Sequence, residues 1–297
     1  MSKRLPIHFK FAPVPPELAS TILLYWEVET TVPDPIEDMM HPDWANIRFA
    51  LGGDWGHGAT QETLARVDDF ATLTGTTDRG YWARSHGGKG FCAMLYPLAW
   101  PRLLGADAST YLNQIVPLSE ILGDSANILA QNVRSAESFA ARVTACNAFF
   151  LQRLERTGPH HRDAEILAIF MAISNPDCTS VEDLAARTGL PASRLARLSK
   201  RAFGLAPKML LRRERFLRML RTMEVRSHKE WQAFLDPQYV DQSHMIRDFK
   251  RFIGLPPSQY FALDRPMLES SIAALKKLWA EGWDPLLSGP DALDHDG

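Results

Sequence analysis

The residues with most chemistry to offer lie between positions 239 and 261, in the run YVDQSHMIRDFKRFIGLPPSQYF. Gln242, Ser243, Arg247, Lys250 and Arg251, with His244 near the edge, gather amide, hydroxyl and guanidinium donors on one side of it. Such groups hydrogen-bond base edges and neutralise phosphates. Met245, Ile246, Phe249, Phe252 and Ile253 recur at spacings of one, three, three and one, which is the apolar back of one amphipathic helix. Asp241 can cap its first turn, Gly254 stops it, and Pro256–Pro257 keep it from resuming. A second set, Ser193, Arg194, Ala196, Arg197, Lys200 and Arg201, falls on the exposed side of a helix predicted over 192–202. Each helix, polar in front and apolar behind, is a candidate recognition helix.

Two such helices need a scaffold that holds them about one duplex turn apart, ~34 Å. Between them, Pro207–Met223 reads as a long basic amphipathic helix with Leu210, Phe216, Leu217 and Leu220 inward. At ~1.5 Å per residue it has the right scale for a rigid linker. Upstream, AEILAIFMAI is an apolar helix, and Ser180 with Asp183 has the pattern of a capping box. A helix then runs to a turn at Thr188–Gly189. Ser227 and Glu230 repeat the capping pattern ahead of the second unit.

The first hundred residues are different in character. Residues 1–16 are Pro-rich and predicted extended, and Thr21–Thr30 is a strand by its β-branched and aromatic content. Residues 31–44, with three prolines, read as a loop. Asn46–Trp55 alternates as a half-buried strand ending at Gly52–Gly53, and Tyr81–Ser85 with Phe91–Tyr96 reads as a hairpin turning at Gly87–Gly88. The block is that of a small barrel or sandwich. From Pro97 the pattern turns helical, with Phe139, Val143, Cys146, Phe149, Phe150 and Leu154 forming a stripe that ends at Gly158–Pro159. That stripe is a core face or a dimer interface.

These motifs carry a resemblance. The run from Tyr239 resembles the second helix-turn-helix of AraC/XylS-type transcriptional regulators: Tyr239, Asp241, Gln242, His244, Phe249, Lys250, Gly254, Pro257 and Tyr260 match its signature, and Gln238 replaces the usual turn glycine. Leu184, Ala185, Gly189, Leu195, Arg197, Leu198, Gly204 and Pro207 similarly resemble the first unit. Pro191 stands there for the N-cap serine and Ser199 for a common core phenylalanine. More loosely, Pro97, Leu104, Gly105, Val116, Pro117 and Leu118 resemble the cupin-like regulatory half of one subgroup.

The resemblance implies an α+β chain of two domains. A β-rich cupin-like regulatory domain with a helical connector (about 98–158) would occupy 1–158, and an all-α domain with two helix-turn-helix units would occupy 162–263. Residues 264–297, an extra helix and an acidic tail, lie outside the pattern. It further implies that Ser193, Ala196 and Arg197, and Gln242, Ser243, His244, Ile246 and Arg247, approach bases. Arg194, Lys200, Arg201 and Lys250 complete the expected DNA-contacting set. Promoter or operator DNA and RNA polymerase are the expected partners, with a homodimer through 125–157 and a small-molecule effector as further ones. No cofactor is expected, and the expected location is the cytoplasm, on the nucleoid.

Composition is that of an ordinary globular protein. Of 297 residues 45% are hydrophobic and 23% charged, which argues against disorder. The net charge of −2 hides an asymmetry: residues 162–265 hold 18 Lys and Arg against 12 Asp and Glu, while the remainder is acidic. Basic charge gathered on one segment suits a nucleic-acid-binding domain. No apolar run reaches the ~18 residues of a membrane span, and Pro6, His8, Lys10 and Pro13 break up any signal-peptide core. The three widely spaced cysteines read as small core residues.

Enzyme motifs are absent: no P-loop, no dinucleotide fingerprint, no nucleophile elbow. His41, His57 and His86 share no tight metal-ligand spacing. The alternative class, a cupin-type enzyme with a vestigial DNA-binding domain, would need a metal in that block. The aromatics Trp26, Trp44, Trp55 and Trp82 are either barrel core or the lining of an effector site.

Overall fold

The computed structural model describes residues 7–31, 34–226 and 242–280. Its N-terminal part is an antiparallel sheet of β1 (Ile7–Ala12), β2 (Ile22–Thr30), β3 (Ile36–Met40), β4 (Asn46–Gly58), β5 (Ala65–Arg66), β6 (Ala71–Thr74), β7 (Tyr81–Leu95) and β8 (Ile115–Pro117). The order is β1-β2-β7-β4-β6-β8, with β3 also on β7 and β5 on β4. The beginning of β7 pairs with β3 and its later part with β2, while β4 runs along most of its other edge.

Three sequence expectations change here. Residues 31–44 contain a strand, β3, despite their prolines. Gly52–Gly53 does not end β4, which continues to Gly58 through register shifts on either side of Gly52. Gly87–Gly88 is not a hairpin turn, since β7 is one strand of 15 residues. Gly53 and Gly88 instead let two strands touch: a Cβ at Gly53 would meet the Gly87 carbonyl oxygen at 2.0 Å, and one at Gly88 would meet that of Gly52 at 2.3 Å. Glycine in a strand marks close backbone approach as well as turns.

Helices follow: a π-helical turn Trp100–Leu104, then α1 (Leu118–Leu122), α2 (Asp124–Ser135) and α3 (Phe139–Thr157). The core of this half unites Tyr25, Ile47, Phe49, Leu73 and Phe91 of the sheet with Leu129, Val133, Cys146, Phe149 and Phe150 of the helices. The stripe on α3 is thus core, with Phe139, Val143 and Leu154 packed against it. Cys92, Cys146 and Cys178 are buried thiols.

The rest is helical: α4 (Asp163–Ser174), α5 (Val181–Thr188), α6 (Ala192–Phe203), α7 (Pro207–Arg226), α8 (Gln242–Phe252), α9 (Pro257–Tyr260) and α10 (Pro266–Ala280). One apolar cluster joins Ile169, Leu195, Leu198 and Phe203 to Leu98 of the N-terminal half, with Trp44 and Leu112 packed against it. Another joins Phe216, Met245, Phe249, Phe252 and Tyr260 to Met39 and Trp82. Both helix-turn-helix units are therefore seated on the sheet half. Gln238, Tyr239, Asp241, the Ser227 capping pattern and the acidic tail lie outside the described residues.

Candidate nucleic-acid interface

In the first unit, Ser180 caps α5, its hydroxyl accepting from the Asp183 N–H at 3.0 Å. Gly189, in the left-handed region at φ 66°, makes the turn. Pro191 opens α6 with no side-chain cap, as its residue type requires. Leu195, Leu198, Ala202 and Phe203 are buried, so Ser193, Arg197 and Lys200 face solvent, with Ala196 half-buried among them. Ser180→Ala should cost about 1 kcal/mol, read as a shift of the denaturant midpoint.

Two members of the expected contact set are engaged elsewhere. Arg194 pairs with Glu165 of α4, its Nε 3.0 Å from Oε2. Arg201 pairs with Asp107 of the sheet half at 2.8 Å, both groups largely exposed. An exposed pair of this kind contributes about 0–1 kcal/mol, so Arg201 can exchange Asp107 for a phosphate at little cost. Arg197 and Lys200 make no ion pair among the described residues.

Ser199 is fully buried, and its hydroxyl has no hydrogen-bond partner among the described residues. This is the position where the resemblance calls for phenylalanine. Ser199→Ala should stabilise the chain by about 1–2 kcal/mol by removing an unsatisfied buried hydroxyl, measurable by chemical denaturation. Lower stability would mean that the hydroxyl is satisfied.

In the second unit, Met245, Phe249 and Phe252 are buried behind α8, while Gln242, Ser243, Arg247 and Lys250 are exposed and His244 is half-buried. Asp248, fully buried, holds α8 to α7: Arg212 Nε donates to it at 2.7 Å and Arg215 Nη2 at 3.2 Å. Sequence reading missed this tie, although an acid on the apolar side of an amphipathic helix, opposite a basic helix, is its visible trace. Arg251, expected at phosphate, pairs with Asp78 just before β7, and the Gly80 N–H donates to the Phe252 carbonyl. Gly254, at φ 87°, ends the region.

The four tryptophans do not line one cavity. Trp44 packs against Phe170 and Phe203, with the Arg213 guanidinium 4.4 Å over its ring. Trp82 is buried in the cluster of the second unit. Trp26 and Trp55 pack beside Ile7, Val28 and Ile36. The inside of the sheet is filled by its own rings, with Tyr25 stacked on Phe91 at 5.8 Å and Phe49 beside them. His41 hydrogen-bonds the Tyr260 hydroxyl and His57 lies on the Tyr81 ring. Burial pushes both imidazoles down to about 4. Among the described residues no group of three His, Cys, Asp or Glu could hold a metal, and no helix is long and apolar enough to cross a membrane.

Residues 184–262 match a family model described as "Helix-turn-helix domain", a segment that takes in α6, α7, α8 and α9. No curated protein is significantly similar in sequence to this chain. Among solved structures, ToxT from Vibrio cholerae is similar at 10% identity over 85% of this chain and 97% of that one, with a TM-score of 0.43. Wild-type ToxT of Vibrio cholerae strain SCE256, described as bound to an unsaturated fatty acid, is similar at 12% identity over 88% and 97%, TM-score 0.39. The AraC-like transcriptional activator CuxR is similar at 14% identity over 72% and 80%, TM-score 0.34. Likenesses this distant bear on neither ligand nor partner.

Proposed function

We propose that this chain, whose C-terminal part is an AraC-type helix-turn-helix DNA-binding domain, is a transcriptional regulator that reads two successive major grooves with α6 and α8. The observation that carries the reading is the matched build of these helices: each has a buried apolar back and exposed amide, hydroxyl or guanidinium groups in front. Arg197 and Arg247 are suited to guanine and Gln242 to adenine, while Ser193, Ala196, Ser243 and His244 shape the contact surface. Lys200 and Lys250 grip phosphate, joined by Arg194 and Arg201 when they leave Glu165 and Asp107. Residues 1–158 form the regulatory domain, 162–263 the DNA-binding domain, and 264–297 an appendage. The chain acts in the cytoplasm on promoter DNA, contacting or blocking RNA polymerase, with no catalysis of its own.

An effector belongs to this reading. A cleft of about 190 Å³ opens where Pro101–Asp107 faces His160, Arg162 and the Leu198–Ala202 side of α6. Arg162 lines this cleft and makes no ion pair among the described residues, which favours an anionic ligand. Self-association would use the outer side of α2, where Ile128 is 59% exposed, since the α3 stripe is spent in the core.

The test is a fluorescence-anisotropy titration of purified protein on duplex DNA between about 50 and 200 mM salt. Affinity should fall steeply with salt, and Lys200→Ala should lower the log–log slope by about 1 while leaving sequence preference intact. Absence of salt-dependent binding would end the DNA reading.

A further inference from the structure

Helix α10 begins at Pro266, beyond the 184–262 segment that matches the family model, and it packs on β1 and β3 of the sheet. Its Met267 is buried with Ile7, Val28 and Ile36. Asp38, fully buried in β3, reaches its N-terminus: Oδ2 accepts the Met267 N–H at 2.7 Å and the Leu268 N–H at 3.1 Å. A carboxylate from the sheet thus caps a helix 229 residues away in sequence.

The neighbouring residues tighten this junction. Arg265, buried just ahead of α10, donates to Glu224 of α7 and lies 4.3 Å over the Tyr260 ring. The Tyr260 hydroxyl donates to Glu224 at 2.6 Å and also meets His41, which follows β3. Sheet, α7, α9 and α10 therefore meet in one buried polar knot. Helix α8 also touches the sheet on its own account, through the Phe252 carbonyl and through the pair of Arg251 with the buried Asp78, and the knot adds to these ties.

We infer that Asp38 is a positioning residue for DNA recognition: it fastens α10 to the sheet as a strap that fixes the second recognition helix relative to the first. The role rests on the DNA-binding reading above. Two helices that must enter grooves at a set spacing bind cooperatively only if their separation is fixed beforehand; otherwise the alignment entropy is lost on each binding event. The sheet, together with α7, carries both units, and the strap adds a buried polar fastening to the apolar one that Met39 and Trp82 make with the second unit.

The carboxyl that fastens the strap is itself sensitive to pH. Burial pushes Asp38 up to about 7, against the lowering effect of the two N–H groups and Arg265; Glu269 adds to the rise. On the strap Arg265 and Glu269 face Asp38, and His41, Glu224 and Tyr260 complete the knot; across the sheet Asp38 pairs with apolar Ala83. Released from the helix, Asp38 would titrate near 4. The docked strap therefore holds an extra proton between about pH 4 and 7, and docking weakens as pH rises through that window.

The experiment uses the full chain, hydrogen exchange over residues 266–280, and duplexes carrying one or both half-sites selected from a random library. Asp38→Ala, and Met267→Ser from the helix side, should both speed exchange of α10. Each should also lower affinity for the paired site about tenfold, leave the single half-site unchanged, and widen the tolerated spacing. Asp38→Asn should retain paired-site affinity and abolish the change in α10 protection, taken relative to the intrinsic amide exchange rate at each pH, that the parent shows between about pH 5.5 and 8. Unchanged α10 exchange in Asp38→Ala overturns the inference. So does faster exchange with unchanged paired-site affinity, or an equal loss on both duplexes, which marks general destabilisation. Failure of the parent to select any half-site removes the DNA reading itself, and the exchange arm still reports whether Asp38 holds the strap.

Discussion

Phe249→Ala is expected to cost about 3–5 kcal/mol of stability, the largest single effect on this chain. Phe249 is fully buried behind the second recognition helix, its ring 5.1 Å from Phe216 and 5.9 Å from both Tyr260 and Phe261. Deleting it removes the transfer energy of an aromatic side chain and leaves a cavity that α7, α8 and α9 would have to collapse to fill. The same cluster includes Met39 and Trp82 of the sheet, so the loss is felt across the junction between the halves. The denaturant midpoint and near-ultraviolet circular dichroism read it. A change under about 1 kcal/mol would mean that α8 is not packed through this residue.

Arg247→Ala is expected to leave stability unchanged and to cost about 1–3 kcal/mol of binding to the cognate site, with relaxed preference at one base pair. The side chain is exposed on α8 and makes no ion pair among the described residues, so its removal disturbs nothing internal. A guanidinium held by a packed helix can make the bidentate contact to guanine that discriminates among bases. Parallel titrations on cognate and random duplexes separate the outcomes. An equal loss on both makes Arg247 a phosphate contact.

Much of this was legible in the sequence because it is local. Apolar spacing and turn residues place α5, α6 and α8, and the serine and glycine that bound α5 sit where spacing puts them. What was not legible depends on residues distant in sequence. Gly52–Gly53 and Gly87–Gly88 look like turn makers, yet Gly53 and Gly88 are needed because two strands touch there. Asp38 looks like a loop acid, and only the return of α10 gives it a function. Arg194, Arg201 and Arg251 look like free cations on recognition helices, and each has an acidic partner on another element. The tryptophans could suggest a ligand site because composition cannot say which cluster each one joins.

The central claim is that two recognition helices read DNA together, and selection from a random duplex library with purified protein at stated salt tests it most directly. The account predicts enrichment of two half-sites with centres about one helical turn, ~10–10.5 base pairs, apart, and loss of preference at one position of one half-site in Arg247→Ala. Enrichment of no sequence, or of a single half-site indifferent to Arg247, would contradict it.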